Sequence, residues 1–178
     1  RRSKVPEVKS ALQESTNRIL SMSVVHEFLS QQDAEEIRVM EVTRNILNTV
    51  APNMIAGDFQ LEQSFDGPEV ILPSRTASNL AVIINELILN SIEHGFEGRQ
   101  QGLIGLHTEE SADGYVLELY DNGCGLPPDF DLEKTRSLGL QIIRTLVRDD
   151  MGGEIELYNQ QGTRARISIP KNPEGGEY

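Results

Sequence analysis

The hydrophobic positions of this chain fall into two regimes: one long stripe at helical spacing, then an alternation of short strands and helices. Positions 5, 8, 12, 15, 19, 22, 26 and 29 are Val, Val, Leu, Ser, Ile, Met, His and Leu. A narrow stripe at 3–4 spacing predicts a helix over residues 4–30 that serves a helix bundle or coiled-coil seam. The chain holds no second stripe of that length, so the seam is expected to be covered by a helix of another copy or by one missing from this sequence. Gln31-Gln32-Asp33 interrupts the pattern. Asp33 suits an N-cap, and Glu35 and Glu36 suit a helix N-terminus. A second helix is therefore predicted to about Val50, with Ile37, Met40, Ile46, Leu47 and Val50 inward and Pro52 as its stop.

Phe59, Leu61 and Phe65 then alternate at period two before an Asp66-Gly67 turn, and Val70-Ile71-Leu72 reads as a short strand. Residues 76–94 predict a long helix, with Leu80, Ile83, Ile84, Leu87 and Ile88 apolar. Strands follow at 103–108 and 115–120, then a Gly-, Pro- and Asp-rich loop over 121–136 and a helix over 138–149. The last elements are a hairpin of 154–159 and 163–169 around Gln160-Gln161-Gly162. The predicted fold class is α+β: a two-layer sandwich of a mixed, mostly antiparallel sheet with helices on one face, preceded by a helical arm. The arm is assigned residues 1–32, the domain 33–170 and a frayed tail 171–178.

Composition narrows the function classes. The length of 178 residues suits one domain plus an arm. Aromatics are 5% and Trp is absent, so aliphatic side chains must fill the core. Sixteen Lys and Arg against 28 Asp and Glu give a net charge of −12. That balance argues against nucleic acid as a partner and against a polybasic membrane anchor. It leaves room for a local anion site made of backbone N–H groups. One Cys excludes an internal disulfide and a CxxC zinc site, and fits a reducing, cytoplasmic setting. The longest apolar run, Leu80 to Leu89, is broken by Asn85 and Glu86 and falls short of the ~20 residues of a membrane span, so no direct membrane contact is expected. The chain begins Arg1-Arg2-Ser3, without Met, and reads as a piece of something longer.

Four places carry candidate chemistry. Glu86 and Asn90, at i and i+4, share a face of the long helix and could hold a hard cation such as Mg²⁺ against phosphates. The plainer reading is a solvated stripe. Asp121-Asn122-Gly123-Cys124-Gly125 directly follows a strand, which sets a carboxylate at a pocket floor and lets backbone approach a ligand closely. The plainer reading is a Gly-rich loop. Ser137-Leu138-Gly139-Leu140 opens a helix whose free N–H groups could meet phosphate, or Ser137 could simply cap it. Gly162-Thr163 opens the last strand, as a hairpin turn would.

The order of these four resembles the ATPase domain of the histidine kinase–gyrase–chaperone–mismatch-repair superfamily over about residues 55–170. Asn85-Glu86-Leu87-Ile88-Leu89-Asn90-Ser91 is similar to its N box, Asp121 to Gly125 to its G1 box, and Ser137 to Leu140 to its G2 box. Gly162-Thr163 is similar to the threonine that closes the adenine site. Residues 17–29 and Asn85-Glu86-Leu87 resemble sensor histidine kinases of the second HisKA class. The resemblance implies ATP and Mg²⁺ as ligands, with a flexible lid at about 126–137. Asp121 would accept from the adenine amine with a water shared with Thr163, and Gly123 and Gly125 would let the base lie against backbone. Asn90 would ligate Mg²⁺, and Glu86 would orient or deprotonate the attacking imidazole. His94 would lie near the phosphates, or else favour the helix C-terminus electrostatically. Leu138, Gly139 and Leu140 would bring helix N–H groups to phosphate. The implied partners are a response-regulator receiver domain and a second copy joined through the arm.

Two departures accompany the resemblance. The family's acceptor-histidine stretch is not found here, so the acceptor is expected before Arg1, and His26 resembles the second dimerisation helix. Glu93 stands where many relatives carry Lys, which leaves charge support for ATP weaker or shifts it to Arg99 or Arg136. His107 is expected at the surface, and Cys124 as a small residue between two glycines. The competing classes are an anti-sigma-type serine kinase, a nucleotide-driven clamp and a non-catalytic nucleotide-binding scaffold on the same fold.

Overall fold

A computed structural model of the chain describes residues 36–54 and 59–171. The predicted arm helix, His26, the Asp33 cap, the boundary at 32–33 and most of the tail lie outside the described residues. Within them, β1 (Glu36–Arg38) leads into α1 (Val39–Met54), followed by β2 (Gln60–Asp66), β3 (Ile71–Pro73) and α2 (Ser74–Asn90). The chain continues through β4 (Gln101–Glu110), β5 (Gly114–Asp121), α3 (Leu138–Thr145), β6 (Glu154–Asn159) and β7 (Thr163–Pro170). Five strands form one sheet in the order β2-β4-β5-β7-β6. β2 and β4 run parallel, and the other pairs antiparallel, which is the predicted mixed sheet. Among the described residues no helix is long and apolar enough to cross a membrane.

Alternation along the strands decides which face is covered. Ile104, Leu106, Leu117, Leu119, Ala165, Ile167, Ile169 and Ile155 are buried and share one core with α1, α2 and α3. The residues between them, among them His107, Glu109, Glu118, Tyr120, Arg164 and Arg166, carry the polar face. Tyr120 lies flat across Gly105, where a Cβ would come within 2.2 Å of its ring. Arg164 stacks over the same ring at 4.7 Å. His107 is half-exposed on this face, with its Nδ1 3.0 Å from Asp66 Oδ2.

α1 differs from its sequence reading at both ends. Ile37 is buried, but in β1, whose partner is β3. The helix starts at Val39 because distant groups cap it: Val39 N–H donates to the Val70 carbonyl at 2.9 Å, and Met40 N–H to Glu69 Oε1 at 3.0 Å. Pro52 does not stop the helix but sits in its last turn, where it forfeits only the one bond its N–H would have made. α2 also runs on, as a π-helical turn over Ser91–Gly95 closed by Phe96 N–H on the Ser91 carbonyl at 3.1 Å. A second such turn, Leu146–Asp150, extends α3.

Glu118 shows how the polar face is held. Burial pushes its carboxyl up, but hydrogen bonds from Tyr158 and Arg164 outweigh that and hold it below its ordinary value of 4.5. A lowered carboxyl favours the folded state above 4.5, and that contribution is lost as pH falls through the folded value. Glu118→Gln should therefore lower the urea midpoint at neutral pH, with a gap to the parent chain that closes in acid. A gap independent of pH would assign the loss to shape rather than charge.

Candidate functional site

α2 is nearly surrounded: residues 83–89 are all buried, and the helix packs against α1, α3 and the β1–β3 pair while sharing one core with the sheet. That overturns the solvated-stripe reading, since Asn85 and Glu86 are both at 0% exposure. The helix face that does reach open space carries Leu87, Asn90, Ser91 and His94, and it forms one wall of a cavity of about 420 Å³. The opposite wall is the sheet, through Leu119, Leu157, Thr163 and Ala165. Leu126, Pro127 and Phe130 roof it from the loop, and Ser137 and Leu140 close it from α3. Size and apolar walls are those of a small-molecule site.

The floor is Asp121, 4% exposed at the end of β5. Its Oδ1 accepts from Gly123 N–H at 2.7 Å and from Thr163 N–H at 3.0 Å. Its Oδ2 accepts from the Ser91 hydroxyl at 2.8 Å. A carboxylate has about four lone-pair positions, so one remains on Oδ2. The floor thus offers one acceptor for a donor arriving through the cavity.

Three glycines let these elements close in. A Cβ on Gly123 would come within 2.6 Å of the Gly95 carbonyl, and that carbonyl accepts from Cys124 N–H at 2.9 Å. Gly162, at φ +127°, abuts the Asp121 carbonyl, where a Cβ would fall within 2.1 Å. Gly125, at φ +78°, makes room for Asn159, whose Oδ1 would lie 2.7 Å from a Cβ there. Gly123 and Gly125 therefore meet protein atoms on these sides.

α3 supplies the last element. Ser137 stands at its N-cap, but its side chain makes no capping bond, so the first N–H groups of the helix remain for a ligand. Gly139 is buried there, Leu140 faces the cavity and Leu138 points outward at 62% exposure. Glu86 lies one turn before Asn90, fully buried and not on the cavity wall. Arg99 donates to the Asn122 carbonyl, and neither it nor Arg136 is on the wall.

The structure brings together Asn90, His94, Asp121, Gly125, Leu140 and Thr163 on one cavity, with Gly123 and Gly139 just behind it. Sequence reasoning missed Ser91, Gly95 and the apolar walls Leu119, Leu157 and Ala165. Gly95 and Gly123 are both visible as glycines, but only their contact marks them as a pair.

A family model described as "Histidine kinase-, DNA gyrase B-, and HSP90-like ATPase" matches residues 76–173, more than half of the chain. A second, HisKA_2, described as "Histidine kinase", matches residues 1–53. The sensor histidine kinase PdtaS of Mycobacterium tuberculosis is 34% identical over 98% of this chain and 35% of its own length. The chain thus spans about a third of the length of the first curated relatives it matches. The anti-sigma F factor of Clostridium botulinum is 28% identical over 51% of this chain and 68% of its own. Among solved structures, the histidine kinase domain of the blue-light-activated histidine kinase of Erythrobacter litoralis superposes with a TM-score of 0.71. It has 21% identity and covers 88% of this chain and 74% of that one.

Gly123→Ala should cost roughly 1–3 kcal/mol of stability, because its methyl would overlap the Gly95 carbonyl. Urea unfolding reads the loss, and an unchanged midpoint would show that the two segments can separate freely.

Proposed function

The chain belongs to the histidine kinase-, DNA gyrase B- and HSP90-like ATPase family, and on that premise we propose that it is the ATP-binding catalytic core of a two-component sensor histidine kinase. The observation that supports this most is the single free acceptor position on a buried carboxylate at the floor of an apolar cavity. A flat base with one exocyclic amine suits that floor, and adenine is such a base. Asp121 accepts from the amine, with Thr163 beside it. Leu87, Leu119, Leu126 and Leu157 exclude water around the base. The uncapped start of α3 directs N–H groups at phosphate, helped by its dipole.

Among the described residues there is no cluster of three His, Cys, Asp or Glu side chains, so a divalent cation would touch the protein mainly at Asn90. That suits Mg²⁺, which keeps waters and substrate phosphates around it. Bound there, Mg²⁺ would neutralise charge on the phosphates during transfer. His94, exposed and on the cavity wall, would meet the phosphates. By resemblance to the family, Glu86, one turn before Asn90, would orient the acceptor imidazole, a role that requires its present burial to be relieved. The γ-phosphoryl group passes to a histidine and then to an aspartate of a response-regulator receiver domain. The full protein pairs with a second copy through its helical arm. An anti-sigma-type serine kinase is the second reading, supported by the similarity to anti-sigma F factors; that similarity covers 51% of the chain, whereas the HisKA_2 match lies over the arm.

Asp121→Asn tests the floor. Two N–H groups would hold the new carbonyl oxygen at the Oδ1 position, so the amide nitrogen would face the base amine, donor against donor. ATP affinity should fall ten-fold or more by calorimetry, by about 1.4 kcal/mol or more, with the fold retained. Equal affinity would remove the adenine assignment. Asn90→Ala should abolish the Mg²⁺ dependence of ATP binding, and a preserved dependence would move the cation elsewhere. Glu86→Gln should slow phosphoryl transfer with ATP affinity kept. Incubation with γ-labelled ATP, on this chain and on the longer chain of the same gene, reads the acceptor: acid-labile, base-stable label marks histidine, and label on serine of a partner would favour the anti-sigma reading.

A further inference from the structure

The loop over the cavity is tied down at two places. At its far end Glu133 accepts from Arg144 at 3.1 Å and pairs with Arg148, while Arg144 also donates to the Glu133 carbonyl at 3.2 Å. At its near end the tie is a single side chain. Leu126 N–H donates to Asn159 Oδ1 at 2.7 Å, and Asn159 Nδ2 donates to the Leu126 carbonyl at 2.9 Å. A primary amide carries a donor and an acceptor on one edge, as a backbone peptide does, so Asn159 pairs with Leu126 as a neighbouring strand would. Gly125 lets this happen: its left-handed φ of +78° and missing Cβ leave room for Asn159 Oδ1.

Asn159 stands at the end of β6, opposite Thr163 in the hairpin register. Thr163 N–H holds Asp121 Oδ1 at 3.0 Å. One hairpin tip therefore fixes both the floor of the cavity and the start of its roof. Asn159 itself is exposed and is not on the cavity wall, so its contact with a ligand passes through Leu126.

We propose that Asn159 is the positioning residue of the roof: its amide sets where Leu126, Pro127 and Phe130 lie over the base and so governs nucleotide affinity. This rests on the nucleotide reading above and adds to it a residue outside the four family motifs.

The chain contains no Trp, so Phe130→Trp makes a unique reporter of the roof. In that background, Asn159→Ala removes both bonds, and Asn159→Asp keeps the volume and the acceptor but loses the donor. Without nucleotide, both should shift the emission to longer wavelength and raise quenching by acrylamide. The thermal unfolding midpoint should fall only slightly, because Asn159 is exposed at a hairpin tip and both variants leave the core intact. The dissociation constant for Mg²⁺-ATP should rise about five- to ten-fold, the scale of one or two neutral hydrogen bonds. Unchanged emission and quenching in both variants would overturn the tether. A reporter that moves while ATP affinity stays constant would overturn the positioning role. Failure of the unsubstituted chain to bind Mg²⁺-ATP would overturn the nucleotide reading and the positioning role with it, while the nucleotide-free emission still decides the tether.

Discussion

The seating of the Asp121 carboxylate is the constraint around which the site is organised. A buried carboxylate is tolerated only when its oxygens are met by donors. Here the donors come from three segments: the loop after β5, the start of β7 and the turn that ends α2. Bringing them together needs backbone to approach backbone at distances that side chains forbid. Gly95 against Gly123, and Gly162 against Asp121, are where that approach occurs. The floor, the helix wall and the hairpin are thus one unit rather than separate features.

α2 links this unit to the core. It packs against α1, α3 and the β1–β3 pair and buries its aliphatic side chains in the core shared with the sheet, so it cannot shift without disturbing that cluster. The π-helical turn at its end inserts one extra residue per turn. It ends at Gly95, whose carbonyl receives Cys124 N–H. Such turns are frequent at functional sites, and here the turn carries Ser91 and His94 to the cavity. Asn85 and Glu86, one turn earlier, are fully buried.

The two faces of the sheet divide the labour. The covered face supplies an aliphatic wall without Trp, to which Phe96 adds by lying on Gly102. The open face is held by a network of Glu118, Tyr158, Arg164 and Tyr120 that spans β5, β6 and β7. Because β6 and β7 also hold Thr163 and Asn159, stiffness of the open face reaches the floor and roof of the cavity through the hairpin tip.

Strands and helices with clear period-two or helical patterning were legible in the sequence, because local alternation and burial agree there: 103–108, 115–120 and 163–169 all fall within strands. Asp121, Asn90, Leu140 and Thr163, singled out by their order along the chain, lie on one cavity. The start of α1 was not legible, because its caps come from Glu69 and Val70 rather than from neighbours in sequence. Pro52 suggests a stop by a local rule that a last helical turn evades. The burial of Asn85 and Glu86 was not legible either, because periodicity alone does not say which polar helix positions the fold will cover. Ser91, the Gly95–Gly123 contact and the Asn159–Leu126 pairing join residues some 30 positions apart. Residue types and local periods determined the elements and the chemistry they could carry. Which groups meet was decided by tertiary structure, because a buried carboxylate and a roofing loop take their partners from whatever the sheet brings within hydrogen-bonding distance.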